Sequence, residues 1–262
     1  MATADTVVAC EDVSVELSGA RGRTTILRGV DLSISRGEFV ALLGTSGAGK
    51  TTLLRVLGGL QRVTSGTVTV NGRAVAGPPP GLVTVFQNYA QSLLPWRTVR
   101  RNVALGLEHK VSRAERDERV EAAIELVGLT HVTEDYPRTL SGGMQQRVQI
   151  ARALAMRPSV MLMDEPFGAL DAMTKSTLQD ELLKVQAATS TTIVFVTHDV
   201  DEAVYLSDRA LVLAGRPATF DFALTTDLPR PRDQLSTKES PDFLKYRREI
   251  LQALHAREQS RP

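Results

Sequence analysis

Gly44-Thr45-Ser46-Gly47-Ala48-Gly49-Lys50-Thr51 is the stretch on which the fold of this 262-residue chain turns. It follows the apolar run Phe39–Leu43 and precedes Leu53, Leu54, Leu57 and Leu60 at helical spacing. The order is therefore strand, glycine-rich turn, helix start, which is the context a phosphate-binding loop requires. Glycines let backbone N–H groups curl around an anion, and the dipole of the following helix adds positive potential there. Lys50 is expected to reach the β- and γ-phosphates of a nucleotide and the Thr51 hydroxyl to bind Mg²⁺. Thr45, Ser46, Ala48 and Thr52 complete the expected cradle with the three glycines. The bland alternative is a glycine turn carrying an exposed lysine.

Working outward, Leu82–Phe86, Val160–Met163, Ile193–Val196 and Leu211–Leu213 are further short apolar runs separated by helical patterns. Continuous runs of this kind are what parallel strands buried on both faces look like. Thr67–Val70 differs: valines alternate with threonines ahead of Asn71-Gly72, a two-residue hairpin signal. An α/β fold follows, a parallel core with an antiparallel layer in its N-terminal half. Between Trp96 and Arg157 no strand is expected. Ser112-Arg113-Ala114-Glu115 reads as a capping box, Val120, Ala123, Ile124 and Val127 continue at helical spacing, and Gly128 sits where a C-cap glycine would. A second helix is expected from about Met144 to Met156. The stretch of about 97–157 thus reads as a helical subdomain inserted into the core, inside a unit spanning 1–215. Residues 216–262 read as a short tail, with a Pro229/Pro231 linker and one helix starting at Ser240-Pro241.

Composition narrows the class. Thirty-one Lys+Arg against 30 Asp+Glu leave a formal charge of +1, which gives no support to nucleic-acid binding. Cys10 is the single cysteine, so an intrachain disulfide or a thiolate zinc cluster is excluded and a cytosolic chain is expected. The first basic residue is Arg21, and Val7–Cys10 is too short for a signal-peptide core. The charge-free run Ala74–Trp96 holds four prolines, two glutamines and an asparagine, so it does not read as a membrane span.

Further chemistry lies at the ends of the other expected strands. Val160–Met163 runs into Asp164-Glu165. At the C-terminal edge of a parallel sheet, Asp164 would face the Mg²⁺ held by Thr51, and Glu165 would orient or deprotonate water. Taken alone, the pair could equally be two solvated loop carboxylates. Gln87 follows Leu82–Phe86, and His198 follows Ile193–Val196 through Thr197. The Gln87 amide is placed to bridge metal and water; the other histidines, His109, His131 and His255, read as structural. Ser141-Gly142-Gly143 opens the second helix and forms another anion-binding helix start. In a head-to-tail dimer, Ser141 of each copy would cap the nucleotide on Lys50 of the other.

In this order the motifs resemble those of the ATP-binding subunit of an ABC transporter, over about Val7 to Leu213. Gly44–Thr51 is similar to the Walker A loop, Gln87 to the Q-loop and Leu140–Gln145 to the ABC signature. Asp164-Glu165 resembles Walker B with its catalytic glutamate, Ala169-Leu170-Asp171 the D-loop, and His198 the switch histidine. The resemblance implies a P-loop NTPase with a RecA-like core, an antiparallel β subdomain and a helical subdomain. It further implies ATP and Mg²⁺ as ligands, and a homodimer sandwiching two ATPs. Catalytic roles fall on Glu165, His198 and Gln87, and metal contacts on Thr51, Gln87 and Asp164. The implied partners are integral-membrane permease subunits and, indirectly, a solute-binding protein, at the cytoplasmic face of the cell membrane.

Phe86-Gln87…Leu94-Pro95-Trp96…Asn102-Val103, Pro166–Asp171 and Leu228-Pro229-Arg230-Pro231-Arg232 resemble the nitrate/sulfonate/taurine importer group. That likeness alone implies import. Two departures stand out. The family's adenine-stacking aromatic falls near Leu17, and no aromatic precedes Phe39. Asn88–Ser92 makes a longer spacer than usual before Leu-Pro-Trp. The rival readings are a soluble ABC ATPase acting on ribosomes or DNA, and a P-loop kinase. The kinase leaves Ser141-Gly142-Gly143 and His198 without a role.

Overall fold

In the computed structural model, which describes residues 5–19, 22–87, 92–168 and 170–259, the apolar run before the glycine loop is strand β3 (Phe39–Leu43), buried along its whole length. Its side chains alternate between two cores, Phe39, Ala41 and Leu43 on one face of the sheet and Val40 and Leu42 on the other. Such two-sided burial is why the run has no polar alternation. Parallel to β3 lie β8 (Thr192–Val196) on one side and β9 (Arg209–Gly215) on the other. Beyond β8 come β7 (Val160–Asp164) and β6 (Leu82–Val85), also parallel.

The sheet continues past the expected core. Two 14-residue strands, β1 (Thr6–Gly19) and β2 (Gly22–Ser35), pair antiparallel, and β1 also pairs with β4 (Ser65–Val70). At Asn71-Gly72 both residues have positive φ, and Val70 pairs with Arg73 of β5 (Arg73–Ala74). This is the two-residue hairpin that the dipeptide specifies. Strand β10 (Ala218–Thr225) pairs antiparallel with β9 and touches β2. The described residues form one ten-stranded sheet in the order β5-β4-β1-β2-β10-β9-β3-β8-β7-β6.

Seven α-helices are formed among the described residues. Helix α1 (Lys50–Leu57) buries Leu53, Leu54, Val56 and Leu57 with the β1/β2/β4 layer. Residues 99–155 carry α2 (Val99–Ala104), α3 (Arg113–Leu126) and α4 (Gly142–Ala155) and no described strand. Ser112 caps α3 by accepting from Glu115 N at 3.2 Å. The reciprocal half of the capping box is not made, because the Glu115 carboxylate turns instead to Arg119 one turn on. Helices α5 (Ala172–Thr189) and α6 (Val200–Leu206) follow β7 and β8.

The segment after Gly215 is packed onto the sheet and α6. Strand β10 belongs to the sheet, and α7 (Pro241–Gln259) buries Phe243 and Ile250 in the same core as Val204. Ser240 caps this helix, accepting from Phe243 N at 3.2 Å. The Arg232 side chain, 1% exposed, donates to the Tyr205 and Ser207 carbonyls. Its burial lowers the guanidinium pKa to about 10. Among the described residues no helix is long and apolar enough to cross a membrane.

Candidate nucleotide site

The parallel arrangement brings the C-terminal ends of β3, β6, β7 and β8 to one edge of the sheet, where open α/β sheets place their ligands. The first of these ends is the glycine loop. Gly44 has φ +150°, and a Cβ there would stand 2.3 Å from the Leu213 carbonyl oxygen. Gly49, at φ +84°, leads into α1, and a Cβ would meet Leu27 Cδ2 at 2.9 Å. Both positions need glycine for conformation and for space. Lys50 folds back over the loop, its Nζ donating to the Gly44 and Thr45 carbonyls at 2.8 and 3.2 Å. Burial lowers its pKa, while the negative charges of Glu165 and Asp164 act in the opposite direction.

Asp164, the last residue of β7, is buried, and its pKa is raised chiefly by that burial. The Thr51 side chain hydrogen-bonds to it and pulls the other way. A desolvated carboxylate beside a hydroxyl, with the Gln87 amide lining the same cleft of about 190 Å³, is a hard-oxygen donor set of the kind Mg²⁺ takes. Among the described residues no three His, Cys, Asp or Glu side chains could hold a metal by themselves. The set fits an ion that completes its shell with phosphate oxygens and water.

Glu165 is the next residue, with φ +45°. Its Oε2 accepts from Gln87 Nε2 at 3.1 Å and lies 3.5 Å from His198 Nδ1. Strands β6, β7 and β8 therefore bring three of the expected residues onto one carboxylate oxygen. A cleft of about 500 Å³ runs between the glycine loop and this group, lined by Gly44, Ser46–Thr52, Glu165, His198 and Ile26.

Ser141, Gly142 and Gly143 are not among the residues lining that cleft. Ser141 caps α4, its Oγ accepting from Met144 N at 3.3 Å. Gly143 packs on the first turn of α5, where a Cβ would stand 2.7 Å from Thr174 Cγ2. Asn88–Gln91 and Ala169, which carry the long spacer and the first D-loop position, lie outside the described residues.

Two neighbours of the glycine loop are absent from the sequence reading. Ile26, on β2, lines the cleft, whereas Leu17 pairs with Thr24 towards the end of the same hairpin and does not line it. Arg216, in the β9–β10 turn, places a guanidinium nitrogen 3.4 Å from where a Gly47 Cβ would sit. No spacing rule links either residue to the loop; register across the sheet brings them there. Three apolar side chains that follow Gln87 in sequence are separated by the fold: Leu93 is buried, Leu94 half-buried and Trp96 69% exposed.

The profile of the family described as ABC transporter matches residues 27–168. The chain belongs to the ABC transporter family. Across nearly its whole length this ABC protein is similar to the nitrate import ATP-binding protein NrtD of Synechocystis sp., at 45% identity over 94% of either chain. It is 43% identical to the nitrate transport protein NasD of Klebsiella oxytoca, over 96% of this chain and 97% of that one. With NrtC of Synechococcus elongatus the identity is 47% over 89% of this chain, but the chain spans little more than a third (36%) of that longer relative. Among solved structures, the dimeric ATP-binding cassette MJ0796 bound to ADP and Pi superposes with a TM-score of 0.72 at 30% identity, covering 83% of this chain and 98% of that one. The cbiO1 protein of Clostridium perfringens, part of the cbiONQ complex, gives 0.77 at 26% identity, covering 97% and 96%.

Proposed function

We propose that this chain is the ATP-binding and ATP-hydrolysing subunit of an importer for a small anion of the nitrate class. One observation carries the reading: a phosphate loop faces Glu165 and His198 across a single cleft. The 45% identity to a nitrate import ATP-binding protein over 94% of both chains supports the choice of solute. In this reading the loop N–H groups and Lys50 hold the β- and γ-phosphates of ATP, and Thr51, Asp164 and Gln87 hold Mg²⁺. The bound ion supplies charge neutralisation on the phosphate oxygens. Lys50 leaves its two carbonyl partners to meet the γ-phosphate.

Glu165 orients a water molecule on the far side of the γ-phosphorus and accepts its proton as the oxygen attacks and ADP leaves. Gln87 and His198 fix the carboxylate for that task. Ser141-Gly142-Gly143 lies away from the chain's own cleft, so its α4 N-terminus serves the nucleotide of a second copy, and two copies enclose two ATPs. Integral-membrane permease subunits receive the closing motion and hold the pair at the cytoplasmic face of the membrane. A solute-binding protein delivers the anion to the permease.

The test is phosphate release from ATP by the purified chain as its concentration is raised. A rate rising more than linearly is expected, with Ser141→Arg abolishing hydrolysis while each monomer still binds ATP. Full activity in a variant that stays monomeric refutes the shared site. In cells, loss of the chain is expected to remove nitrate uptake; unchanged uptake rejects the proposed solute.

A further inference from the structure

Lys175 sits in the first turns of α5, one short loop beyond Glu165. Its Nζ is 2.7 Å from Asp199 Oδ2 and 2.7 Å from Glu202 Oε1. Both carboxylates belong to the start of α6. Asp199 is its N-cap, with Oδ1 accepting from the backbone N–H groups of Asp201 and Glu202. Glu202 is 5% exposed, and its second oxygen accepts from Thr197 Oγ1. Thr197 Oγ1 in turn accepts from Asp199 N at 3.0 Å. His198 therefore stands between two residues locked into one network, while the described polar contact of its own ring is Glu165 Oε2.

The described residues on the other side, between Glu165 and α5, also make local contacts. Gly168 N donates to the Glu165 carbonyl at 3.3 Å, Leu170 N donates to that of Phe167 at 3.2 Å, and Asp171 caps α5 through Thr174 N at 3.0 Å. Phe167 is 1% exposed and packs on Phe195 of β8, with ring centroids 5.5 Å apart. Hydrogen bonds and the Phe167–Phe195 contact thus tie the residues after Glu165 to α5 and β8, and those flanking His198 to the start of α6.

We propose that Lys175 is a positioning residue for hydrolysis: by pinning the start of α5 to the start of α6 it sets the distance between Glu165 and His198. The inference rests on the hydrolytic reading of those two residues given above. The ammonium touches neither of them in the described contacts, so it acts through Asp199 and Glu202. Misplacement of reacting groups by about 1 Å costs up to about 100-fold in rate, so loosening this link should lower kcat and leave ATP binding intact.

The experiment compares Lys175→Met, Lys175→Arg and the pair Lys175→Met/Glu202→Gln. The pair removes the carboxylate that Lys175→Met leaves buried and unpaired, and so keeps a folded protein available. The readouts are melting temperature, KM for ATP, kcat, and the His198 ring proton shift with and without Glu165→Gln. In the folded pair variant kcat is expected to fall about tenfold or more with KM within about twofold of wild type, whereas Lys175→Arg keeps most of kcat. The His198 signal should move on Glu165→Gln in wild type and move far less in the pair variant. Wild-type kcat in the pair variant, or an equal response of His198 to Glu165→Gln in both backgrounds, overturns the proposal. If the wild-type chain does not hydrolyse ATP, the hydrolytic reading fails, and the ring-shift comparison still decides whether Lys175 holds His198 beside Glu165.

Discussion

His198 Nδ1 lies 3.5 Å from Glu165 Oε2, the same oxygen that accepts from Gln87 Nε2. Two side chains from two different strands thus act on one carboxylate. Their removal should not be independent, because groups that serve one atom do not contribute additively. Gln87→Ala and His198→Ala are each expected to slow phosphate release about tenfold or more. The double variant should lose clearly less than the product of the two losses. Strictly multiplicative losses in single-turnover rates would separate the two roles.

Trp96 is 69% exposed while Leu93, three residues earlier, is in the core. An exposed tryptophan contributes little to folding, and large exposed aromatics are enriched where partners bind. Trp96→Ala should leave the melting temperature and ATP affinity unchanged and weaken co-purification with the proposed permease partner. Unfolding of the isolated subunit by this substitution would assign Trp96 to packing.

Phe243 is 1% exposed on α7 and belongs to the core that also holds Val204 and Tyr205 of α6. Truncating a buried phenylalanine costs about 3–5 kcal/mol. Phe243→Ala should therefore lower the urea midpoint of the whole chain in a single transition. An unchanged midpoint would mean that α7 is only loosely attached.

Among the described residues that line the cleft, Ile26 is the apolar side chain on β2, and none is Phe, Tyr or Trp; in the proposed reading Ile26 faces the base. Stacking on an aromatic is worth about 1–3 kcal/mol per base, and an aliphatic surface recovers part of it. Recognition then rests on the phosphates, which ATP and GTP share, so weak discrimination between the two is expected. Ile26→Ala should weaken ATP binding a further few-fold, whereas Leu17→Tyr, at a position that does not line the cleft, should leave it unchanged. Calorimetric titration of both nucleotides decides it: a gain in Leu17→Tyr would bring position 17 to the base and contradict the assignment to Ile26.

Much of this was legible because the core strands have a pattern that little else produces. Phe39–Leu43 is apolar on both faces since both faces are covered, and the glycines after it stand between a strand and a helix start, the context of a phosphate loop. The antiparallel layer was harder to read. Register shifts between Cys10 and Val13 and between Val13 and Val15 break the alternation of β1, so the longest strands left no clean period. Strand β10 does alternate, Ala218, Phe220, Phe222 and Leu224 lying on its more buried face, but it follows a Gly-Arg-Pro turn that reads as the start of a tail. Gln87, Glu165 and His198 were each readable as strand-end residues. Their meeting at one oxygen depends on the order β6-β7-β8, which no local pattern encodes. Lys175 was invisible for the same reason: its partners, Asp199 and Glu202, lie on another helix.

Glu165 carries the central claim, and one measurement tests it most directly: ATP hydrolysis and ATP-dependent association of Glu165→Gln beside wild type. The glutamine keeps the size of the side chain and its place beside Gln87 and His198 but cannot take a proton from water. The account predicts hydrolysis reduced by about 100-fold or more, undiminished ATP binding, and a dimer that persists in ATP by sedimentation velocity. A rate near that of wild type, with no ATP-stabilised dimer, would contradict it.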